Sequence, residues 1–293
     1  MRYLITGASS GLGLAVTHAL TAGGHHVILA VRDERKARDA TAGLSGVDIR
    51  HVDLADLESV RDFALPDEVD VLINNAGVMA PARTGSAQGH ELQFAVNHLA
   101  HFALTGLLLG RLTTRVVTVT SVLAKKGRLN FDDLRAGSPS ALYNQSKLAN
   151  AVFGLELHRR LTDAGSRVQS VLAHPGYAVT GLQAGMRPSL SRLFLTKIGN
   201  PLLAVPADRG ARPILHAATE PSVTGGQLIG PGGPGEMRGA PKVLTPPAAA
   251  TDPETGQRLW ELSEKLTGVH YPGERENHES AAHLVRHHER QHP

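Results

Sequence analysis

Thr6-Gly7-Ala8-Ser9-Ser10-Gly11-Leu12-Gly13 is the stretch on which the fold turns. An apolar run, Arg2-Tyr3-Leu4-Ile5, precedes it and reads as a strand. Residues 11–22 follow with the spacing of a helix. Glycine accepts a left-handed backbone and lets a chain approach a phosphate closely. The helix behind it presents free N–H groups and the positive end of its dipole. Gly7, Ser9, Ser10, Gly11, Leu12 and Gly13 are therefore candidates to hold the pyrophosphate of a dinucleotide. The same glycines would also serve an ordinary tight turn, so the surrounding sequence has to decide.

Outward from this turn, strand-like and helix-like segments alternate. Strands are expected at 3–6, 26–31, 47–52, 69–73, 115–120 and 167–173, with a short one near 227–229. Helices are expected at 11–22, 33–42, 56–63, 90–112, 142–162 and 254–266. This rhythm predicts an α/β fold with a doubly wound parallel sheet of Rossmann type, with right-handed crossovers. One domain is expected over 1–271. Residues 178–206, rich in Leu, Phe and Gly, read as a substrate cover, and 230–253, rich in Gly and Pro, as irregular chain. The polar, His-rich tail 272–293 has little to bury and is expected to be disordered.

Composition narrows the function. Hydrophobic residues make up 41% of the 293, but aromatics only 4%, so an aliphatic core is expected, as in a sheet buried on both faces. With no cysteine, disulfides, thiolate catalysis and Cys-based metal sites are excluded. The 16 histidines show no accompanying ligand geometry, and no metal is expected; His98 and His101 read as packing or surface residues. Thirty basic against 27 acidic residues, scattered along the chain, give no nucleic-acid-binding segment. No signal-peptide core opens the sequence, and no apolar run reads as a membrane span, which points to the cytoplasm.

The end of the second strand bears on the cofactor. NAD enzymes place a carboxylate there for the ribose hydroxyls. Here the sequence is Ala30-Val31-Arg32-Asp33, with apolar Val31 at that position and Arg32 after it. A guanidinium pairs with the 2′-phosphate of NADP, which a carboxylate would repel. NADP(H) is the expected cofactor. Arg32 facing solvent, or Asp33 turning toward the ribose, would be the other outcomes.

Tyr143-Asn144-Gln145-Ser146-Lys147 places a phenol and an ammonium on one face of a helix. A phenol is only about 0.1% ionised at pH 7, and a neighbouring cation favours the phenolate. Lys147 and the positive charge of the nicotinamide are therefore expected to lower the Tyr143 pKa and make it a usable acid/base. Ser121 ends the fifth strand, at the ligand end of such a sheet, where its hydroxyl can stabilise a developing alkoxide or simply cap a turn. Thr120, one residue earlier, should face the other way.

The glycine turn, with Asn74-Asn75-Ala76-Gly77, Tyr143-x-x-x-Lys147 and His174-Pro175-Gly176-Tyr177-Ala178-Val179-Thr180, resembles the classical branch of the short-chain dehydrogenase/reductase family. Residues 94–102 and 146–150 are similar to its retinol-dehydrogenase-like and protochlorophyllide-reductase-like members. The resemblance reaches to about Leu266. It implies a catalytic set of Asn97, Ser121, Tyr143 and Lys147, with Asn97 helping to hold a water that links Lys147 to solvent. It further implies cofactor contacts from Asp53 and Leu54 (adenine), from Asn75, Ala76 and Gly77 (ribose), and from Pro175, Gly176, Ala178 and Thr180 (nicotinamide carboxamide). Asp53 could instead cap the next helix.

The expected activity is hydride transfer between NADP(H) and a hydrophobic carbonyl or alcohol. The apolar residues of 178–206 and Leu123 suggest that substrate class. Reduction of a conjugated C=C bond, and an idle NADP-sensing protein, are the competing readings. A homodimer or homotetramer is expected through the two long helices, whose surplus apolar residues include Leu107, Leu108, Leu109, Val152 and Phe153; the resemblance implies the same contact.

Overall fold

Aliphatic strands with buried side chains on both faces generate one sheet, ordered β3-β2-β1-β4-β5-β6-β7-β8. The structure is a computed structural model that describes residues 1–65, 67–81, 85–176 and 206–271. The strands are β1 (Arg2–Thr6), β2 (His26–Val31), β3 (Val47–His51), β4 (Val69–Asn74), β5 (Leu112–Val119), β6 (Gln169–Ala173), β7 (Leu228–Pro231) and β8 (Pro241–Leu244). β1 to β7 pair in parallel and β8 antiparallel. The strand order reverses between β1 and β4, so a crevice opens at their carboxyl ends.

Alternation along β1 divides the core. Tyr3 and Ile5 point into the layer formed with α1 (Gly11–Ala22), α2 (Glu34–Ala40) and α6 (Ala207–Thr219). Leu4 points into the opposite layer, formed with α3 (Leu57–Arg61), the helical run α4 (Leu92–Arg111), α5 (Pro139–Asp163) and α7 (Pro253–Thr267). Local signals set several ends. Asp33, Asp56 and Ser138 cap α2, α3 and α5, and Asp252 caps α7 with Pro253 at its first position.

Three sequence expectations need correction. Residues 230–253 are not wholly irregular, because β8 forms there against β7. α6 is not among the expected helices; it contains Gly210 and Pro213, which disfavour helix, but both are buried, and Arg115 of β5 donates to the Ala217 carbonyl at 2.6 Å and the Val223 carbonyl at 2.8 Å. α4 is in fact long and apolar enough to cross a membrane by length and composition, but 89% of it is buried inside the protein, as befits a core helix.

The apolar surface expected to make subunit contacts is largely covered within the chain. Leu108, Val152 and Phe153 are buried, Leu109 is half-buried, and only Leu107 is exposed. The cover comes from α7 and the residues behind it. Trp260 stacks near Phe153 (6.0 Å) and meets Phe102 edge-on (5.0 Å). Tyr271 closes the cluster 4.5 Å from Trp260, and its hydroxyl donates to the Phe102 carbonyl at 2.8 Å. Arg160 lies over the Trp260 ring. Much of the small aromatic content is thus gathered at one joint behind the long helices. Trp260→Ala should lower unfolding free energy by ~3–5 kcal/mol in denaturant titration. A loss below about 1 kcal/mol would mean that α7 does not anchor this face.

Candidate active site

At the end of β1, Gly7 and Gly11 take positive φ (68° and 59°), as a turn into α1 requires. The N-cap residue of α1, Ser10, makes no side-chain cap bond, and its first turn carries no acidic group. Its N–H groups therefore face outward with nothing negative beside them. A Cβ on Gly7 would sit 2.8 Å from Ala76 Cβ, and one on Gly13 2.6 Å from Asn75 Nδ2. These glycines let the turns after β1 and β4 touch.

Thr6 fastens that contact. Its hydroxyl oxygen accepts the N–H of Asn75 and of Ala76, both at 3.0 Å, while Asn75 Nδ2 donates to the Thr6 carbonyl at 2.8 Å. Asn74 turns inward and donates to the Thr105 hydroxyl. A Cβ on Gly77 would lie 3.3 Å from Asn97 Oδ1 and 3.4 Å from Lys147 Nζ, so the motif after β4 ends against the expected catalytic pair.

Asn97 occupies a π-turn, Ala95–Leu99, within α4, where Ala100 N–H reaches back to the Ala95 carbonyl. Such turns often mark functional positions. Its Oδ1 accepts from Val78 N–H at 2.7 Å; its Nδ2 donates to the Val78 carbonyl at 3.0 Å and to Ser146 Oγ at 2.9 Å. The last bond ties α4 to α5.

Ser121 takes the capping role expected of it. Its hydroxyl caps the short turn Val122–Lys126, accepting from Leu123 N–H at 3.2 Å, and it stands by the Tyr143 phenol, on whose pKa it acts downward. Thr120 faces elsewhere, donating to the Lys147 carbonyl at 2.6 Å. Lys147 Nζ donates to the Val119 carbonyl at 3.1 Å, which Asn150 Nδ2 shares. Tyr143 and Lys147 are both buried.

The expected electrostatics are overturned within the chain itself. Burial pushes the Tyr143 phenol up to about 12, opposed only by the Ser121 hydrogen bond. Lys147 does not pull it down, because burial lowers the lysine to about 8, so that it is already neutral at the pH where the phenol would ionise.

The other expected positions fall into place unevenly. Val31 is buried and Arg32 exposed, with no hydrogen bond or ion pair to a described residue. Asp33 is committed to capping α2 through Lys36 N–H at 2.9 Å. Asp53 does not cap α3, which is Asp56's role; its carboxylate accepts from Ala55 N–H, and Leu54 is buried in the core. Gly176 (φ 73°) follows Pro175, and its N–H donates to His174 Nδ1 at 3.2 Å. His174 Nε2 faces Glu236, which also pairs with Lys125. Ala178, Thr180, the cover 178–205 and the tail 272–293 lie outside the described residues. His98 packs among Phe94, Phe102 and Phe153 as expected, but neither it nor His101 is on the surface. Thr6 and His101 were not singled out for the site; a His four residues after Asn97 on one helix was the available signal.

These positions fit a dinucleotide. The α1 N-terminus and the glycine turns could receive phosphate, Arg32 is exposed at the β2 end with no partner among the described residues, and the turn after β4 leads to Tyr143 and Lys147.

A short chain dehydrogenase family model matches residues 2–190. Retinol dehydrogenase 14 of Mus musculus is 38% identical, with 91% of this chain and 85% of that protein covered. Polyprenol dehydrogenase of Mus musculus is 35% identical over 91% of this chain and 83% of that protein. The crystal structure of an uncharacterized protein from Mycobacterium Paratuberculosis superposes with a TM-score of 0.80 at 42% identity, covering 92% of this chain and 94% of that one.

The buried lysine has a pH signature. Its folded-state pKa, about 8, lies below the ordinary 10.5, so its burial penalty is full below pH 8 and fades as pH rises toward 10.5. Lys147→Met should therefore gain stability relative to the unmodified protein below pH 8, and that gain should shrink across this window. Chemical denaturation at pH 7 and pH 10 checks it; a pH-independent difference would contradict the assignment.

Proposed function

Because the chain belongs to the short chain dehydrogenase family, we propose that this oxidoreductase moves a hydride between NADP(H) and a hydrophobic carbonyl or alcohol, with Tyr143 handling the proton. The observation that carries the proposal is the gathering of Ser121, buried Tyr143 and buried Lys147 at the carboxyl ends of the strands, with Lys147 Nζ bonded to the Val119 carbonyl. When bound, the nicotinamide supplies or accepts the hydride. The chain's own residues do the rest. Tyr143, held protonated by burial, is ready to donate to a carbonyl oxygen, which favours the reductive direction. Ser121 offers its hydroxyl to the same oxygen and keeps the phenol oriented. Lys147, near 8, is the titratable group one helical turn away that can restore the proton. The presence of Tyr143 and Lys147 together argues against an idle sensor.

NADP is favoured over NAD by exposed Arg32, which has no partner among the described residues, and by the commitment of Asp33 to a helix cap. An apolar substrate is supported by the names of two relatives, since retinol and polyprenol are long apolar alcohols.

Tyr143→Phe should lower kcat by ~10²–10⁴-fold and leave NADPH affinity nearly intact, as followed by NADPH absorbance and by titration. More than a few per cent residual kcat would remove Tyr143 from its role. In a series of aliphatic aldehydes, kcat/KM should rise with chain length; small charged keto acids outperforming long aldehydes would refute the apolar substrate.

Arg32→Ala should cut the ratio of kcat/KM for NADPH over NADH by roughly 10-fold or more, about 1.4 kcal/mol. An unchanged ratio would mean that Arg32 only faces solvent.

A further inference from the structure

His101 is fully buried on α4, one turn beyond Asn97, and both its ring nitrogens are engaged. Nδ1 lies 2.9 Å from the Asn97 carbonyl, and Nε2 lies 2.9 Å from the Thr6 hydroxyl. A carbonyl can only accept, so Nδ1 carries the proton. Thr6 Oγ1 already accepts two backbone N–H groups, from Asn75 and Ala76. Its own proton therefore goes to Nε2, the bare nitrogen of the ring. A charged imidazolium would bring a third donor onto an oxygen with two lone pairs. Burial, with the Lys147 charge on the facing helix, holds the ring's pKa down, to about 4, against the upward influence of the Asn97 carbonyl. His98, the other imidazole of this helix, is buried and lowered to about 3.

The ring thus closes a continuous path. It starts at the glycine turn, passes through Thr6 and His101, and ends on the backbone of the π-turn. The Asn97 side chain is already fixed by Val78 and Ser146, so its carbonyl is the polar atom that the imidazole secures. We propose that His101 is a positioning residue for hydride transfer, a neutral imidazole that holds the Asn97 turn in register with the cofactor cradle and so places Asn97 beside Lys147. This rests on the function proposed above. It assigns the ring an effect on the chemical step rather than on cofactor affinity. Without the ring, the Thr6 proton still has the Ile73 carbonyl within 3.5 Å, and the glycine turn keeps its bonds to Asn75 and Ala76.

Three variants test it. His101→Phe keeps the bulk and removes both bonds. His101→Asn keeps a donor near the Nδ1 position, and His101→Gln keeps a polar group near the Nε2 position. The expected result is a kcat loss of roughly 10-fold or more in the Phe and Gln variants, at least 3-fold recovery in the Asn variant, and an NADPH Kd changed less than 3-fold in all three. Unchanged kcat in the Phe variant, or kcat and Kd worsening together, overturns the proposal. If the Phe variant does not fold, the Asn and Gln variants decide, and equal kcat in those two overturns it. A readout independent of turnover is the ¹H–¹⁵N spectrum of the histidine rings, assigned by the signal missing from the Asn variant. His101 should hold the Nδ1–H form from pH 5.5 to 8, and a ring titrating in that range overturns the lock. Should the unmodified protein show no NADPH-dependent turnover with any carbonyl, the function reading fails, while the ring spectrum still reports on the lock by itself.

Discussion

Everything at the ligand end of the sheet depends on how closely the turns after β1 and β4 approach each other. Gly7 against Ala76 and Gly13 against Asn75 leave no room for a Cβ, and the Thr6 hydroxyl closes the gap by accepting two backbone N–H groups. Backbone groups at a sheet's switch point cannot be left unpaired in a dry interior. Here one hydroxyl satisfies two of them and still has a proton to give. The phosphate-facing turn, the motif after β4 and the π-turn of α4 are consequently one connected unit.

The second governing influence is burial itself. Tyr143, Lys147 and His101 are each shifted in the direction that disfavours charge: the phenol upward, the two bases downward. A site built this way holds a neutral phenol and a neutral imidazole beside a lysine that is still charged at neutral pH, in a low-dielectric setting. Charge that develops there during reaction meets fixed hydrogen-bond donors rather than reorganising water.

Much of this was legible in the residue order, for identifiable reasons. α1 and β2 begin and end where glycine and β-branched residues said they would, and Ser121, Tyr143 and Lys147 converge because strand end and helix face are periodic properties. What escaped the sequence depended on distant partners. α6 carries Gly210 and Pro213, and tertiary packing overrides both. β8 sits in Gly- and Pro-rich chain that only the β7 edge turns into a strand. The Tyr143 shift was misjudged because pairing with Lys147 is visible in spacing, whereas burial is not. His101 lay in plain view, but nothing local shows that its far nitrogen meets Thr6 across the fold.

The joint between α7 and the long helices has a consequence for how the chain comes into being. Trp260 and Tyr271 are made on the ribosome about a hundred residues after α5, whose back face they cover. Until they emerge, Phe102 and Phe153 have no lid, and the helix that bears Tyr143 and Lys147 presents bare apolar surface to the cell. The nascent protein therefore passes through a stage with the first strands and the glycine turn fully synthesised and the helix of Tyr143 and Lys147 unsupported. That is the stage at which chaperones would be needed and aggregation would begin. A frameshift or early stop beyond α5 would leave the chain at that stage, with Asn97, Ser121, Tyr143 and Lys147 all in its sequence.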